Sequence, residues 1–239
     1  MLETLSLLSL SEGGWGWVML IGSGVTISLA LCCLPLGLPL GLILALMTRS
    51  QSIICSRVAI IFSTIFRSLP ELLTLFLVYN GGQILVQNAL NYFNIPATFS
   101  INAFVAGIIG LGTVFAVFSC EAWLGAFQVV NQGQYEAAKA LNLSYNTTFW
   151  RVIFPQLVRH ALPSLSNNWL CLLKDTSLVS TISLIDLMRQ TNLAAVVTKE
   201  PLLFYSAACI LYLLFSAISS FILLRLERRV NAGFRKADA

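Results

Sequence analysis

Two long stretches of this chain contain no charged residue at all: Gly13 to Thr48, and Leu72 to Cys120. Water does not hold such segments as surface helices, and their length suits a bilayer, where a crossing helix needs about 20 predominantly apolar residues. In lipid every backbone polar group must be satisfied within the segment, which leaves helices or closed barrels. The chain as a whole is 57% hydrophobic and 10% charged, with a mean hydropathy of +0.83. A soluble domain would carry about 25% charged residues. The sequence therefore predicts an all-α integral membrane protein, one transmembrane domain over residues 1–239 with no room for an added soluble domain.

About five spans are expected, near 17–47, 58–79, 101–124, 163–186 and 202–226. In the first, Pro35 and Pro39 predict kinks, and Gly37 and Gly41 predict close helix packing. The second holds Arg67 and Glu71, which on one helix at i, i+4 share a face and pair. The fourth is the least hydrophobic and holds Lys174 and Asp175. Residues 81–100 read as a loop with Tyr92 and Phe93 near its middle, either a connector lying at the outer interface or a docking surface for a soluble protein. The first residues carry Glu3 and Glu12 without a basic start, so no cleaved signal peptide is expected. The six cysteines lack a CxxC pair and support neither a disulfide framework nor a zinc site.

Orientation follows from the cations. Arg49, Arg57, Lys139, Arg151, Arg159, Arg225, Arg228, Arg229, Arg235 and Lys236 fall on one side of the expected spans, and only Arg189 and Lys199 on the other. The first side is then cytoplasmic, with the N-terminus outside and the C-terminus inside. The net charge of +4 reflects this topology, and nucleic-acid binding is a poor account of it.

The cytoplasmic loop at about 131–162 contains QYEAAKALNLSYNTTFWRVIFPQ. Residues 134–141 are good helix formers, and Ala137, Ala138 and Ala140 let another surface approach closely. Asn142 suits the left-handed conformation that ends a helix, and Ser144 suits the cap of the next. Phe149, Val152, Ile153 and Leu157 then form an apolar stripe opposite Arg151 and Arg159, with Pro155 and Pro163 marking bends. Two short helices at a tight turn make a rigid projection able to pass rigid-body motion into the spans.

Glu136-Ala137-Ala138, Asn142, Val152 and Phe154-Pro155 resemble the EAA motif of ABC-importer permeases, with Asn in place of Gly and Phe in place of Leu. The residues Gly24–Leu29, Arg67-Ser68-Leu69-Pro70-Glu71, Ala161-Leu162-Pro163, Asn167-Asn168-Trp169, Leu173-Lys174-Asp175-Thr176-Ser177-Leu178 and Leu226-Glu227-Arg228-Arg229 look like the polar amino-acid subgroup of type I importers, nearest to histidine, arginine and opine permeases. Relatives usually carry Arg-Gly-Ala after the third-span Glu, whereas this chain has Leu124-Gly125-Ala126. The resemblance spans roughly 20–238 and implies a bacterial inner-membrane permease subunit for polar, chiefly basic, amino acids. Neutral or acidic amino acids are the alternative cargo. It also implies a second permease subunit, identical or homologous, a soluble substrate-binding protein outside, and a dimer of ATP-binding subunits below. Glu136, Ala137, Ala138, Asn142 and Pro155 would couple this chain to that ATPase, which would hold the ATP and magnesium. No cofactor is expected here, since no GxxxxGK[ST] loop is present.

Charges at bilayer depth mark a pathway or a partner. The candidates are Glu121, Arg67, Glu71, Lys174 and Asp175. Glu121 is a natural counter-charge for a cationic substrate, or else it pairs with a basic residue. Lys174 and Asp175 are adjacent and point to different faces, so each needs its own partner or water. Asn167 and Asn168 read as hydrogen-bonding cross-links between helices. Two rival classes fare poorly. An intramembrane enzyme built on Ser177, Asp175 and the lone His160 lacks anything to orient the base. A passive channel or scaffold has no use for an amphipathic helix pair shaped for a partner.

Overall fold

The computed structural model describes residues 6–9, 14–93, 95 and 100–232. The expectation for the first residues, and the part played by Arg235 and Lys236, lie outside them. Among the described residues every regular element is helical: α1 (Trp15–Thr48), α2 (Ile53–Ser68), α3 (Glu71–Tyr92, with a π-helical turn at Leu77–Gly81), α4 (Ala103–Val129), α5 (Gln132–Ala140), α6 (Tyr145–Thr148), a π-helical turn at Phe149–Ile153, α7 (Phe154–Asp175), a 3-10 turn at Thr176–Ile182, α8 (Leu187–Thr198) and α9 (Pro201–Ala232). By length and composition α1, α4 and α9 can each cross a membrane, and α2 with α3 form a bent fourth. A fifth crossing rests on α7, which is long enough but carries Asn167, Asn168, Lys174 and Asp175.

The centre of the fold is α4, which packs against α1, α7, α3 and α2. It lies closest to α1, and small residues permit this. A Cβ on Gly41 would sit 2.7 Å from the Ala116 carbonyl oxygen and 2.8 Å from Ser119 Cβ, and one on Gly37 would meet the Phe115 ring. Such backbone proximity is how helices associate in lipid, where apolar surface alone gives no preference for protein over acyl chain. Pro35 and Pro39 sit inside α1 without breaking it. Around this seam Leu29, Cys33, Leu111 and Phe115 form one buried cluster, and Val117, Trp123, Ile153 and Leu157 another nearer the loop at 131–162.

Sequence and structure differ most at the expected second span. No helix runs through 58–79. Pro70 lacks an N–H and biases Leu69 to extended backbone (φ −87°, ψ 139°), so α2 stops at Ser68 and α3 starts afresh at a 108° angle. Arg67 and Glu71 therefore lie on different helices and do not pair. The expected loop at 81–100 is helical as far as Tyr92, because nothing from Gln83 to Asn91 breaks a helix. Likewise α7 begins at Phe154 rather than 163. Pro155 follows directly on the π-helical turn at Phe149–Ile153, and Pro163 sits inside an unbroken helix.

At the opposite end of the bundle from the coupling loop, Asp186 caps α8. Its Oδ1 accepts the Arg189 N–H at 2.8 Å, and the Leu187 N–H donates to Thr26 Oγ1 of α1 at 3.2 Å. α8 thus bridges α1 and α9. α9 is otherwise nearly bare, with Leu213, Ile218 and Ile222 all exposed. Its bare apolar face is suited to lipid or to another subunit.

Gly41→Val should force α1 from α4 and cost about 1–3 kcal/mol, the usual penalty for overpacking. Thermal unfolding in detergent reads this directly, and an unchanged midpoint would show that the seam tolerates extra volume.

Candidate permease site and coupling element

The helix pair at 131–162, the candidate coupling element, is built as its sequence suggests. α5 ends in a Schellman arrangement: Asn142 is left-handed (φ 53°), its N–H bonds the Lys139 carbonyl at 2.9 Å, and the Leu143 N–H reaches back to the Ala138 carbonyl at 3.0 Å. Ser144 Oγ then accepts the Thr147 N–H at 3.3 Å and starts α6. Of the α5 residues Ala138 alone is buried, so Glu136 and Ala137 face outward. Around the turn Leu141, Tyr145 and Trp150 are exposed, an apolar tip on a polar arm.

This tip is joined rigidly to the membrane helices. Ile153 and Leu157 are fully buried against α4, Trp123 stacks on Phe154 with centroids 6.2 Å apart, and Gln156 of α7 lies 3.4 Å from Gln134 of α5. On the far side Arg159 Nε donates to Asn231 Oδ1 at 2.8 Å, tying α7 to the end of α9. α5 is thereby packed onto α7, which carries Lys174 and Asp175 at its far end. Burial raises the Tyr135 phenol above its ordinary range against an opposing pull from Arg49, so it remains a neutral donor at pH 7.

The five intramembrane charges separate into three places. Arg67 Nη1 meets Glu121 Oε1 at 2.5 Å, joining α2 to α4 with both side chains roughly half exposed. Glu121 is thus held by a protein cation rather than left open as a counter-charge. Glu71 and Asp175 come together instead, in a cavity of about 300 Å³ walled by Phe115, Phe118, Asn167 and Asn168. Lys174, one residue from Asp175, faces a separate groove with Ser177, Tyr205 and Tyr212. No ion pair reaches Glu71, Asp175 or Lys174 among the described residues.

The break at Pro70 creates this cavity. It places Glu71 in the first turn of a new helix, where the dipole favours an anion, while Asp175 ends α7, where it does not. Two carboxylates, two amides and aromatic walls meet in this one pocket. The sequence pointed to Glu71 beside Arg67 and to Asp175 beside Lys174, and it did not single out Phe115, Phe118 and Cys171, which share the cavity wall with Asn167 and Asn168. The helical spacing of Asn167, Asn168, Cys171 and Asp175 on one stripe was the available signal.

Residues 37–232 match the family described as binding-protein-dependent transport system inner membrane component. The chain belongs to this family. It is 36% identical over 225 residues to the histidine/lysine/arginine/ornithine transport system permease protein HisQ of Salmonella typhimurium, covering 94% of this chain and 98% of the relative. It is 34% identical over 232 residues to the octopine transport system permease protein OccQ of Rhizobium meliloti, covering 97% and 98%. A crystal structure of an amino acid ABC transporter with histidines aligns with a TM-score of 0.76 at 29% identity, over 90% of this chain and 95% of that one. A methionine ABC transporter, MetNI, shares the fold at a TM-score of 0.67 and 19% identity, over 90% and 93%. This protein is a multi-pass inner-membrane permease subunit of an ABC importer.

The Arg67–Glu121 contact generates a test. Arg67→Glu and Glu121→Arg should each lower the unfolding midpoint, and the double swap should recover part of the loss, with a coupling of at most about 1 kcal/mol for so exposed a pair. Strictly additive effects would mean the contact holds nothing.

Proposed function

We propose that this permease carries cationic amino acids, and that Glu71 and Asp175 receive the charged end of the substrate. The single observation behind this reading is the cavity between α3, α4 and α7, where two carboxylates lie beside Asn167 and Asn168 without any basic residue on the wall. An uncompensated pair of carboxylates is costly inside a membrane protein, and a cationic cargo relieves that cost while it is bound. The relatives named for basic amino acids and an opine agree with the chemistry.

In this account the N-terminus lies outside and the coupling element inside, with a soluble binding protein delivering cargo from outside. The cations at the ends of α1, α7 and α9 gather at the coupling end, as that orientation requires: Arg49 lies over Phe127 of α4, and Arg159 touches Asn231. A pair of ATPase subunits, holding ATP and magnesium, docks on Glu136, Ala137, Ala138 and the exposed turn at Asn142, while Pro155 starts the helix that carries the motion inward. The uncovered face of α9 or α2 leaves room for a second permease subunit, identical or homologous. Nucleotide-driven movement of α5 then shifts α7, changing access to Asp175. Coupling of this kind needs a two-state element that both nucleotide and binding protein bias.

The experiment is ATP-dependent uptake in proteoliposomes, with partner subunits supplied and labelled arginine, lysine, histidine, glutamine and glutamate offered. Uptake of the cationic substrates is expected. Glu71→Gln and Asp175→Asn should each cut it about tenfold or more, as loss of one buried charge contact predicts. Preferred uptake of glutamate would sink the cationic reading. Glu136→Lys should abolish transport with membrane insertion intact, and normal uptake by that variant would remove Glu136 from coupling.

A further inference from the structure

A second cavity, of about 510 Å³, lies where α1 leaves the membrane and meets the coupling element. Arg49 is the one charged side chain on its wall, beside the hydroxyl groups of Ser50, Tyr135, Tyr145 and Thr148. The guanidinium carbon lies over the Phe127 ring, 4.6 Å from its centroid, a cation–π contact that uses the face of the group rather than its N–H donors. Arg49 makes no ion pair among the described residues. Ser50 Oγ accepts the Ser52 N–H at 3.2 Å and keeps its own proton to donate. One fixed cation, several hydroxyl donors and no carboxylate describe a receptor for an anion with several oxygens.

Where the cavity sits decides which anion. α1 is charge-free up to Thr48, so Arg49 marks the bilayer boundary. Leu46 lines the cavity, and Leu36 and Ile43 lie on the same helix stripe above it, all three exposed. That stripe forms an apolar track running from the hydrocarbon into a basic, hydroxyl-rimmed pocket. A soluble phosphate ester would use only the lower half of this arrangement. A phospholipid would use both.

We infer that this cavity binds the phosphate headgroup of an anionic phospholipid of the inner leaflet. Such a lipid touches Tyr135, next to Glu136, and Tyr145, just past the Asn142 turn, and so pins both arms of the coupling element to the end of α1. That consequence, and the choice of the inner leaflet, rest on the coupling role and orientation proposed above, but the binding site itself does not.

The test measures saturable binding of fluorescent phosphatidylglycerol to the assembled transporter in detergent, with phosphatidylcholine as the comparison lipid. Phosphatidylglycerol should bind in preference. Arg49→Gln should weaken it about tenfold, the worth of one charge-assisted phosphate contact, and Tyr145→Phe about threefold. Arg57→Gln, on a neighbouring cation away from the wall, should have no effect. Equal affinity in the wild type and the Arg49 variant overturns the site. Displacement by millimolar glycerol 3-phosphate as effective as by lipid overturns the lipid assignment. Arg49-dependent lipid binding in a transporter that moves no cationic amino acid would overturn the function above and leave this site standing. Intact cationic transport without Arg49-dependent binding would do the reverse.

Discussion

The close approach of α1 to α4 is the constraint on which the remaining architecture depends. Because Gly37 and Gly41 leave no side chain between the two backbones, α4 can stay central and still offer its other faces to α2, α3 and α7. The cavity with Glu71 and Asp175 uses the face of α4 that carries Leu111, Val114, Phe115 and Phe118, and Phe115 also packs over Gly37. A bulkier seam would shift Phe115 and with it the wall of the site. Helix packing and the cavity wall meet at that ring.

The broken second crossing is the other determinant. A straight helix would have paired Arg67 with Glu71 and neutralised both. Pro70 separates them, giving Arg67 to Glu121 and freeing Glu71 to share a pocket with Asp175. One residue without an N–H thereby decides which intramembrane charge is structural and which stands open. Lys174 and Asp175 are divided in a similar way, since neighbouring positions on a helix face apart.

Much of this was legible in the sequence, for stated reasons. Charge-free stretches located α1 and α4, and Asn142 and Ser144 gave the turn of the coupling element because their side chains and backbone preferences act locally. What stayed hidden depends on tertiary contact. The pairing of Arg67 with Glu121 spans 54 positions. The sequence held the proline that breaks the second crossing, yet apolarity on both sides of Pro70 read as one continuous span. The helix from Gly82 to Tyr92 lies in a stretch that reads as a loop between two spans, and Gly81 and Gly82 are both right-handed (φ −63° and −60°), so the chain passes through them without a turn. The capping carboxylate of Asp186 carried no local pattern that singled it out.

The central claim is that the cavity reads side-chain charge, and Cys171 on its wall offers a native reporter. With the exposed cysteines Cys32, Cys55 and Cys209 replaced, the rate at which a cationic methanethiosulfonate labels Cys171 can be followed with and without substrate. Arginine and citrulline are close in shape and differ in charge. The account predicts that arginine protects Cys171 and citrulline does not, and that Asp175→Asn abolishes the difference. Equal protection by both, or by neither, would contradict it.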